Sequence, residues 1–532
     1  MMEYVDHPLI RPESIEARVY QQVILDSARQ GNTLVVLPTG LGKTQIAVML
    51  TAHRMHDDSD ARVLMMAPTR PLVLQHAELF EDSMTLKTKD FKVLTGKIRP
   101  DERVDIWRNG RVFFATPQTV ERDMISGRMH PSNFDLMVFD EAHRAVGDYS
   151  YVFIAERYRD QAEDPLILAL TASPGGSKDR VEDVKENLEI ERVEVRSENH
   201  PNVKPYVQPI ELEREMLELP EPVAKIKKFL ERQLKDHLKS LKDLGFLDSI
   251  QNVGKKELLD VQKKIKKKQK EMSPNPPREI FKAMMDRAAA FRLSHSIELL
   301  ESQGLESLDN YLERMESKSG QSGAPKSLRM LLNDPRMKKV IRLVRSCAGR
   351  VKNPKVQRLK EIVDEQISEK PQSRIIVFAH YRDSVDKLVG VLEKMDGIRP
   401  ERFIGQASRG NADGLTQKEQ AWVIERFREG DTNLLVSTSV GEEGLDIPGV
   451  DLAIFYEPVP SEIRNIQRRG RTGRSGPGRV VVLIMKGTRD EAFYWSAVHK
   501  ENRMKKVLRS LDDESDDESQ SSLDEFRGVE SS

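Results

Sequence analysis

The sequence predicts an α/β protein: two parallel-sheet domains of similar size, with an all-helical segment between them. Three observations predict it. Short apolar runs alternate with amphipathic stretches over residues 30–205, and the same rhythm returns from about 351. Between those blocks the strand signal disappears. At 532 residues the chain is also too long for one core and should divide into roughly three or four units.

In the first block the runs "TLVVL", "RVLMMAP", "RVFFATP", "LMVFDEAH" and "LILALTASP" are rich in β-formers, and each leads into a turn or a helix start. Continuously apolar strands alternating with helices are the mark of a parallel sheet covered on both faces. The second block repeats it with "RIIVFAH", "NLLVSTS", "LAIFYEP" and "VVVLIM". From 206 to 350 apolar residues recur at three- and four-residue spacing instead, as in "PEPVAKIKKFLERQLKDHLKSLKDLGFL", so this part is expected to be helical. "SPNPP" (273–277) should split it into two helical groups, and "SKSGQSGAP" (317–325) should form a loop. The expected boundaries are 1–205, 206–350, 351–507, and an acidic tail, 508–532, too poor in apolar residues to fold alone.

Composition narrows the class. Charged residues are 32% and hydrophobic ones 38%, and no apolar run approaches the roughly 20 residues that cross a bilayer. The first residues lack the basic-then-apolar order of a signal peptide, so a cytoplasmic location is expected. A single cysteine, Cys347, excludes a disulfide framework and a cysteine-held zinc or iron–sulfur site. The net charge of −1 hides an asymmetry, because residues 221–350 carry 29 Lys/Arg against 17 Asp/Glu. That excess points to a polyanion partner there.

The chemistry begins at "LPTGLGKT", Leu37 to Thr44. The general phosphate-loop pattern wants a glycine where Leu37 stands, yet the rest of the loop is intact. A strand runs into it and a helix leaves it, so backbone N–H groups should face a phosphate. Thr39, Gly40 and Gly42 shape the loop; Lys43 can reach the β- and γ-phosphates of ATP, and the Thr44 hydroxyl can bind Mg2+. The strand "LMVFD" places Asp140 and Glu141 at the same sheet edge. There Asp140 would hold the metal, and Glu141 would orient and deprotonate the attacking water.

"LPTGLGKT", "APTRPLVLQH", "ATPQTV", "DEAH", "LTASP", "STSVGEEGLDIPGVD" and "QRRGRTGR" follow one another in the order of superfamily 2 helicases, whose phosphate loops take the form seen here. Over long runs, "FDEAHRAVGDYSYVFIA" and "KGTRDEAFYW" among them, the chain resembles the archaeal Hef helicases and their FANCM relatives. The resemblance spans about residues 10–505 and implies two RecA-like parallel-sheet domains with an all-helical insertion. It implies an ATP-dependent DNA helicase acting on forked or branched DNA in replication-fork repair, with 3′ to 5′ polarity. An RNA-directed enzyme is the alternative, since double-stranded RNA sensors share the architecture.

Residue by residue, the resemblance assigns Tyr20 and Gln21 to adenine recognition, and Thr171 and Ser173 to coupling hydrolysis with strand movement. Gly444 and Asp446 would contact nucleotide and nucleic acid, and Gln467, Arg471 and Arg474 would reach across the cleft to the γ-phosphate. Pro68, Thr69, Arg70, Thr116 and Pro117, with Gly405, Gln406 and Thr438, would hold the strand by its backbone. In the insertion, Lys263, Lys264, Lys266 and Lys267 belong to a run of eight lysines between 255 and 270 and are candidate phosphate contacts. Hef proteins often carry a nuclease domain of the XPF type; no "ERK" nuclease motif occurs here, so unwinding without cutting is expected. In the tail, "QSSLDEFR" resembles a sliding-clamp-binding peptide through Gln520, Leu523 and Phe526, with Arg527 where a second aromatic is usual.

Overall fold

The computed structural model describes residues 3–529 apart from 174, 176–177, 252, 273–276, 406–413, 439–446 and 462–477, and from 511 onward it describes the backbone alone. The first sheet has seven parallel strands: β1 (Thr33–Val36), β2 (Val63–Met66), β3 (Phe91–Leu94), β4 (Val112–Ala115), β5 (Leu136–Asp140), β6 (Ile167–Thr171) and β7 (Arg192–Val195). Their order is β3-β4-β2-β5-β6-β1-β7. Alternate residues of each strand feed two cores, one per face. Val35 and Val138 join the core built on the Val19–Gln30 and Lys43–Asp57 helices, while Leu34 and Phe139 join the opposite one.

The second sheet has six strands in the order β10-β11-β9-β12-β13-β8. They are β8 (Ile210–Leu217), β9 (Ile375–Phe378), β10 (Pro400–Phe403), β11 (Leu434–Ser437), β12 (Leu452–Phe455) and β13 (Gly478–Met485). Here the expected boundaries need correction. β8 pairs with β13 along its whole length, from Gly478↔Ile210 to Met485↔Leu217. Residues 210–217 therefore belong to the second domain, and the helical insertion interrupts that domain between β8 and β9. The strand escaped notice because it lies at the sheet edge and reads I-E-L-E-R-E-M-L, with no residue fully buried.

The insertion runs from the Glu221–Asp243 helix to the Pro335–Cys347 helix. It has its own apolar clusters, one around Leu230, Leu293 and Leu312 and another around Leu241, Val261 and Ile280. Polar contacts dock it on the second domain: the Tyr381 hydroxyl donates to Glu298 at 2.8 Å, and Lys387 pairs with Glu306.

The last helix runs from Arg489 to Val529, so the backbone of the tail expected to be unfolded is helical. No glycine or proline interrupts the sequence from Arg489 to Arg527, and a helix already anchored by packing extends at little further cost. Arg489 faces Glu298 and Glu301 of the insertion, each at 3.6 Å. Further along, Val507 and Leu508 pack into the core of the first domain. One helix thus touches all three parts of the chain.

Candidate functional site

In each sheet the expected motifs follow the carboxyl ends of parallel strands, the usual ligand position in such folds. The phosphate loop leaves β1, and the Leu37 amide is held by the Thr171 carbonyl at 3.1 Å. Gly40 and Gly42 take φ of 83° and 75°, a region that costs other residues about 1–2 kcal/mol. Gly42 is the N-cap of the Lys43–Asp57 helix, so the bend leads directly into it. Lys43 folds back on the loop, donating to the carbonyls of Leu37 (2.8 Å) and Pro38 (3.2 Å).

Gln21 buttresses the loop from the side. Its Nε2 donates to the Leu41 carbonyl (3.2 Å) and to Gln45 (3.1 Å), while its Oε1 is buried with no hydrogen-bond partner. An unmet acceptor there suits an exocyclic amino group such as that of adenine. Tyr20, the other residue expected at the adenine, is wholly buried in this structure. Its hydroxyl donates to the Leu41 carbonyl at 2.8 Å, so it supports the loop from below. Half-buried Arg18 lies nearby, its guanidinium 4.7 Å over the Tyr206 ring and paired with Glu16 at 2.8 Å; sequence reasoning did not single it out.

Asp140 ends β5 and is buried beside the loop. Burial pushes its carboxyl up, but the hydrogen bond and charge of His76, with Lys43 beyond, hold it below the ordinary carboxylate value. His76 Nε2 lies 2.8 Å from Oδ2, and the Tyr151 hydroxyl donates to the Asp140 carbonyl at 2.7 Å. Glu141 sits at φ 51°, ψ 48°, a conformation a side chain rarely adopts and one that concentrates at functional sites. Its carboxylate is 3.2 Å from His143 Nδ1, which is 3.3 Å from the Thr171 hydroxyl. Thr171 in turn donates to the Ser173 carbonyl at 3.0 Å. The two expected coupling residues are therefore joined to the expected base through His143.

Among the described residues no group of three or more His, Cys, Asp or Glu side chains could cage a metal ion. Magnesium needs no such cage, because it keeps water and phosphate oxygens as ligands. A buried carboxylate at Asp140 and a hydroxyl at Thr44 are the hard oxygen donors that would complete its shell.

The expected strand contacts fall at the same edges. Thr69 follows β2 and begins the Arg70–Ser83 helix; its hydroxyl is buried and without a partner. Arg70 reaches across to Gln417 of the second domain. Thr116 begins the Pro117–Ile125 helix after β4, bonded to Thr119 at 2.9 Å. Gly405 and Thr438 follow β10 and β11. Beside Thr119 opens a cavity of about 550 Å3 walled by Lys97, Arg99, Arg103, Arg122 and Arg128. Its buried counter-charge is Asp123, bound by Arg103 and Arg128. Lys263, Lys264, Lys266 and Lys267 are exposed on the Lys255–Glu271 helix, and Lys263 pairs with Asp260 at 3.0 Å. Gln406, Gly444, Asp446, Gln467, Arg471 and Arg474 lie outside the described residues.

The fold and the site together define a two-domain nucleotide-binding core of the superfamily 2 helicase type. Profile matches divide the chain the same way: "Type III restriction enzyme, res subunit" over residues 11–176, "Putative ATP-dependent RNA helicase, helical bundle" over 223–350, and "Helicase conserved C-terminal domain" over 354–476. The crystal structure of the Pyrococcus furiosus Hef helicase domain matches at 46% identity and a TM-score of 0.72, covering 90% of this chain and 98% of that one. The chain belongs to the Hef-like family of these helicases. It is 42% identical over 508 residues to a Methanocaldococcus jannaschii protein named "Putative ATP-dependent RNA helicase MJ1505" (96% of this chain, 63% of that protein). It is 34% identical over 491 residues to the ATP-dependent DNA helicase mph1 of Neurospora crassa (90% of this chain, 41% of that protein). The chain thus spans less than two thirds of these relatives.

Proposed function

We propose that this chain is an ATP-driven DNA translocase that remodels forked or branched DNA, moving 3′ to 5′. The observation that carries the ATPase reading is the pairing of the Lys43–Thr44 loop with Asp140 and Glu141 at one sheet edge. Magnesium, when bound, would neutralise charge between the β- and γ-phosphates. Gln21 would orient the adenine, and the loop amides with Lys43 would hold the phosphates. Glu141 would take the proton of the attacking water as it bonds to the γ-phosphorus and the bond to ADP breaks. Gln467, Arg471 and Arg474 would stabilise that charge from the second domain, while Gly444 and Asp446 would sense it.

The DNA reading rests on the mph1 relatives, which are named as DNA helicases. The RNA reading has the name of the M. jannaschii relative in its favour. Strand passage over Pro68–Arg70, Thr116–Pro117, Gly405–Gln406 and Thr438 is supported by the place of Thr69, Thr116, Gly405 and Thr438 just after strand ends, and the lysines of the Lys255–Glu271 helix would add duplex contacts. Comparing hydrolysis stimulated by forked DNA, single strands and duplex RNA tests this; greatest stimulation by duplex RNA would overturn it. Glu141→Gln should bind ATP normally and lower turnover by about 100-fold or more. For the tail, Gln520, Leu523 and Phe526 are proposed to bind a sliding clamp. Calorimetry with a tail peptide checks it, and no heat of binding would end it.

A further inference from the structure

We infer that His76 is a positioning residue for the metal-binding carboxylate, and that it ties that carboxylate to the element that grips the strand. This rests on the ATPase reading above. His76 lies on the Arg70–Ser83 helix, on the side turned to the sheet, and is only 5% exposed. Its Nε2 meets Asp140 Oδ2 at 2.8 Å. An ionised carboxylate only accepts, so Nε2 carries the hydrogen and donates. With Tyr151 holding the Asp140 carbonyl at 2.7 Å, backbone and side chain are pinned separately. The His76 bond fixes the orientation of the carboxylate, which the Glu141 backbone amide also bonds. Lys43 also acts on Asp140 by its charge.

The same helix begins at Arg70, the expected strand contact that already reaches Gln417 of the second domain. Six residues of helix separate Arg70 from His76, about 9 Å of a stiff rod. A displacement of Arg70 by an incoming strand is therefore transmitted to the histidine that aims Asp140. Partners of this kind, one bond removed from a metal, commonly change metal affinity by about 10–100-fold when removed.

The test compares His76→Met, which keeps bulk but loses the donor, with His76→Gln, which keeps an N–H at similar reach. The primary readout is binding of a fluorescent ATP analogue by anisotropy, with magnesium and with EDTA. His76→Met should lose about 10-fold of the magnesium-dependent gain in affinity, with affinity in EDTA and Tm unchanged; His76→Gln should restore most of it. A single strand should strengthen magnesium-nucleotide binding in the wild type and His76→Gln but not in His76→Met. Equal weakening with and without magnesium would show a merely structural role and overturn the inference, as would a His76→Met protein that matches the wild type. Should His76→Met fail to fold, a His76→Gln protein lacking the magnesium-dependent gain overturns it alone. A wild-type protein whose nucleotide binding ignores magnesium would instead refute the ATPase reading.

Discussion

The hydroxyl of Ser173, in the turn after β6, lies 2.7 Å from the thioether of Met504 on the last helix. Ser173 is the end of a chain of contacts from Glu141 through His143 and Thr171. The base expected to activate water is thereby linked to a helix that also packs on β13 and on the insertion.

That link is testable at Val507, one turn beyond Met504 and 7% exposed in the first-domain core. Val507→Asp would bury a carboxylate, costing about 3 kcal/mol, enough to undock the helix. Energy transfer between dyes on the two domains should fall, and strand-stimulated hydrolysis should drop while ATP binding persists. Unchanged transfer would show that the helix does not tie the domains together.

Gly40 and Gly42 share a positive φ but differ in their surroundings. An alanine Cβ at 42 would stand 2.4 Å from Gln21 Nε2 and 2.5 Å from Gln45 Oε1, whereas one at 40 meets nothing within 4 Å. Gly42→Ala should displace Gln21 from the loop and raise the KM for ATP about 10-fold more than Gly40→Ala, about 1.4 kcal/mol of binding. Steady-state kinetics on the two variants decides it.

Asp123 is fully buried and receives Arg103 at 2.6 and 2.7 Å, Trp107 at 3.0 Å and Arg128 at 3.1 Å. Asp123→Ala leaves the Arg103 charge buried and should cost about 3–5 kcal/mol, read as a lowered urea midpoint. Burial pushes this carboxyl up, but the Arg103 and Trp107 hydrogen bonds hold it below its ordinary value. Its contribution is therefore complete above the unfolded carboxylate pKa, near 4, and is lost as pH falls through the lower folded value. The wild type should lose stability in that window more steeply than Asp123→Ala.

His7 packs edge-on against His53 (4.6 Å between ring centres) and His56 (5.4 Å). Burial lowers the pKa of His7 and His53, and the neighbouring imidazoles and Arg29 add to it, against Asp57 and, for His53, Asp26. A lowered folded pKa means the stabilisation is present above the unfolded value, near 6.5, and lost as pH falls through the folded one. Hydrogen exchange in residues 3–17 should accelerate at pH 5.5 relative to 7.5 after correction for intrinsic rates, and His53→Gln should flatten that difference.

Of the thirteen strands among the described residues, nine were legible in the sequence, and the four that were not are the four sheet edges, β3 and β7 in one sheet and β10 and β8 in the other. Inner strands such as β5 are buried along their whole length and need an unbroken apolar run, whereas the edges are half-exposed and read as polar loops. The phosphate loop and the Asp140–Glu141 pair were legible for a related reason. Their chemistry is local: a few residues on one turn, with φ and charge set by residue type.

What the sequence by itself determined is thus the pair of parallel-sheet cores, the helical segment and the local phosphate-binding and carboxylate motifs. Only the tertiary structure decided that β8 makes the insertion part of the second domain, that the Tyr20 hydroxyl bonds the Leu41 carbonyl of the loop, and that His76 and Met504 reach Asp140 and Ser173. The physical reason is distance along the chain. Periodicity and residue type specify how a segment meets its immediate neighbours, but the 64 residues from His76 to Asp140 and the 331 from Ser173 to Met504 are closed by packing alone.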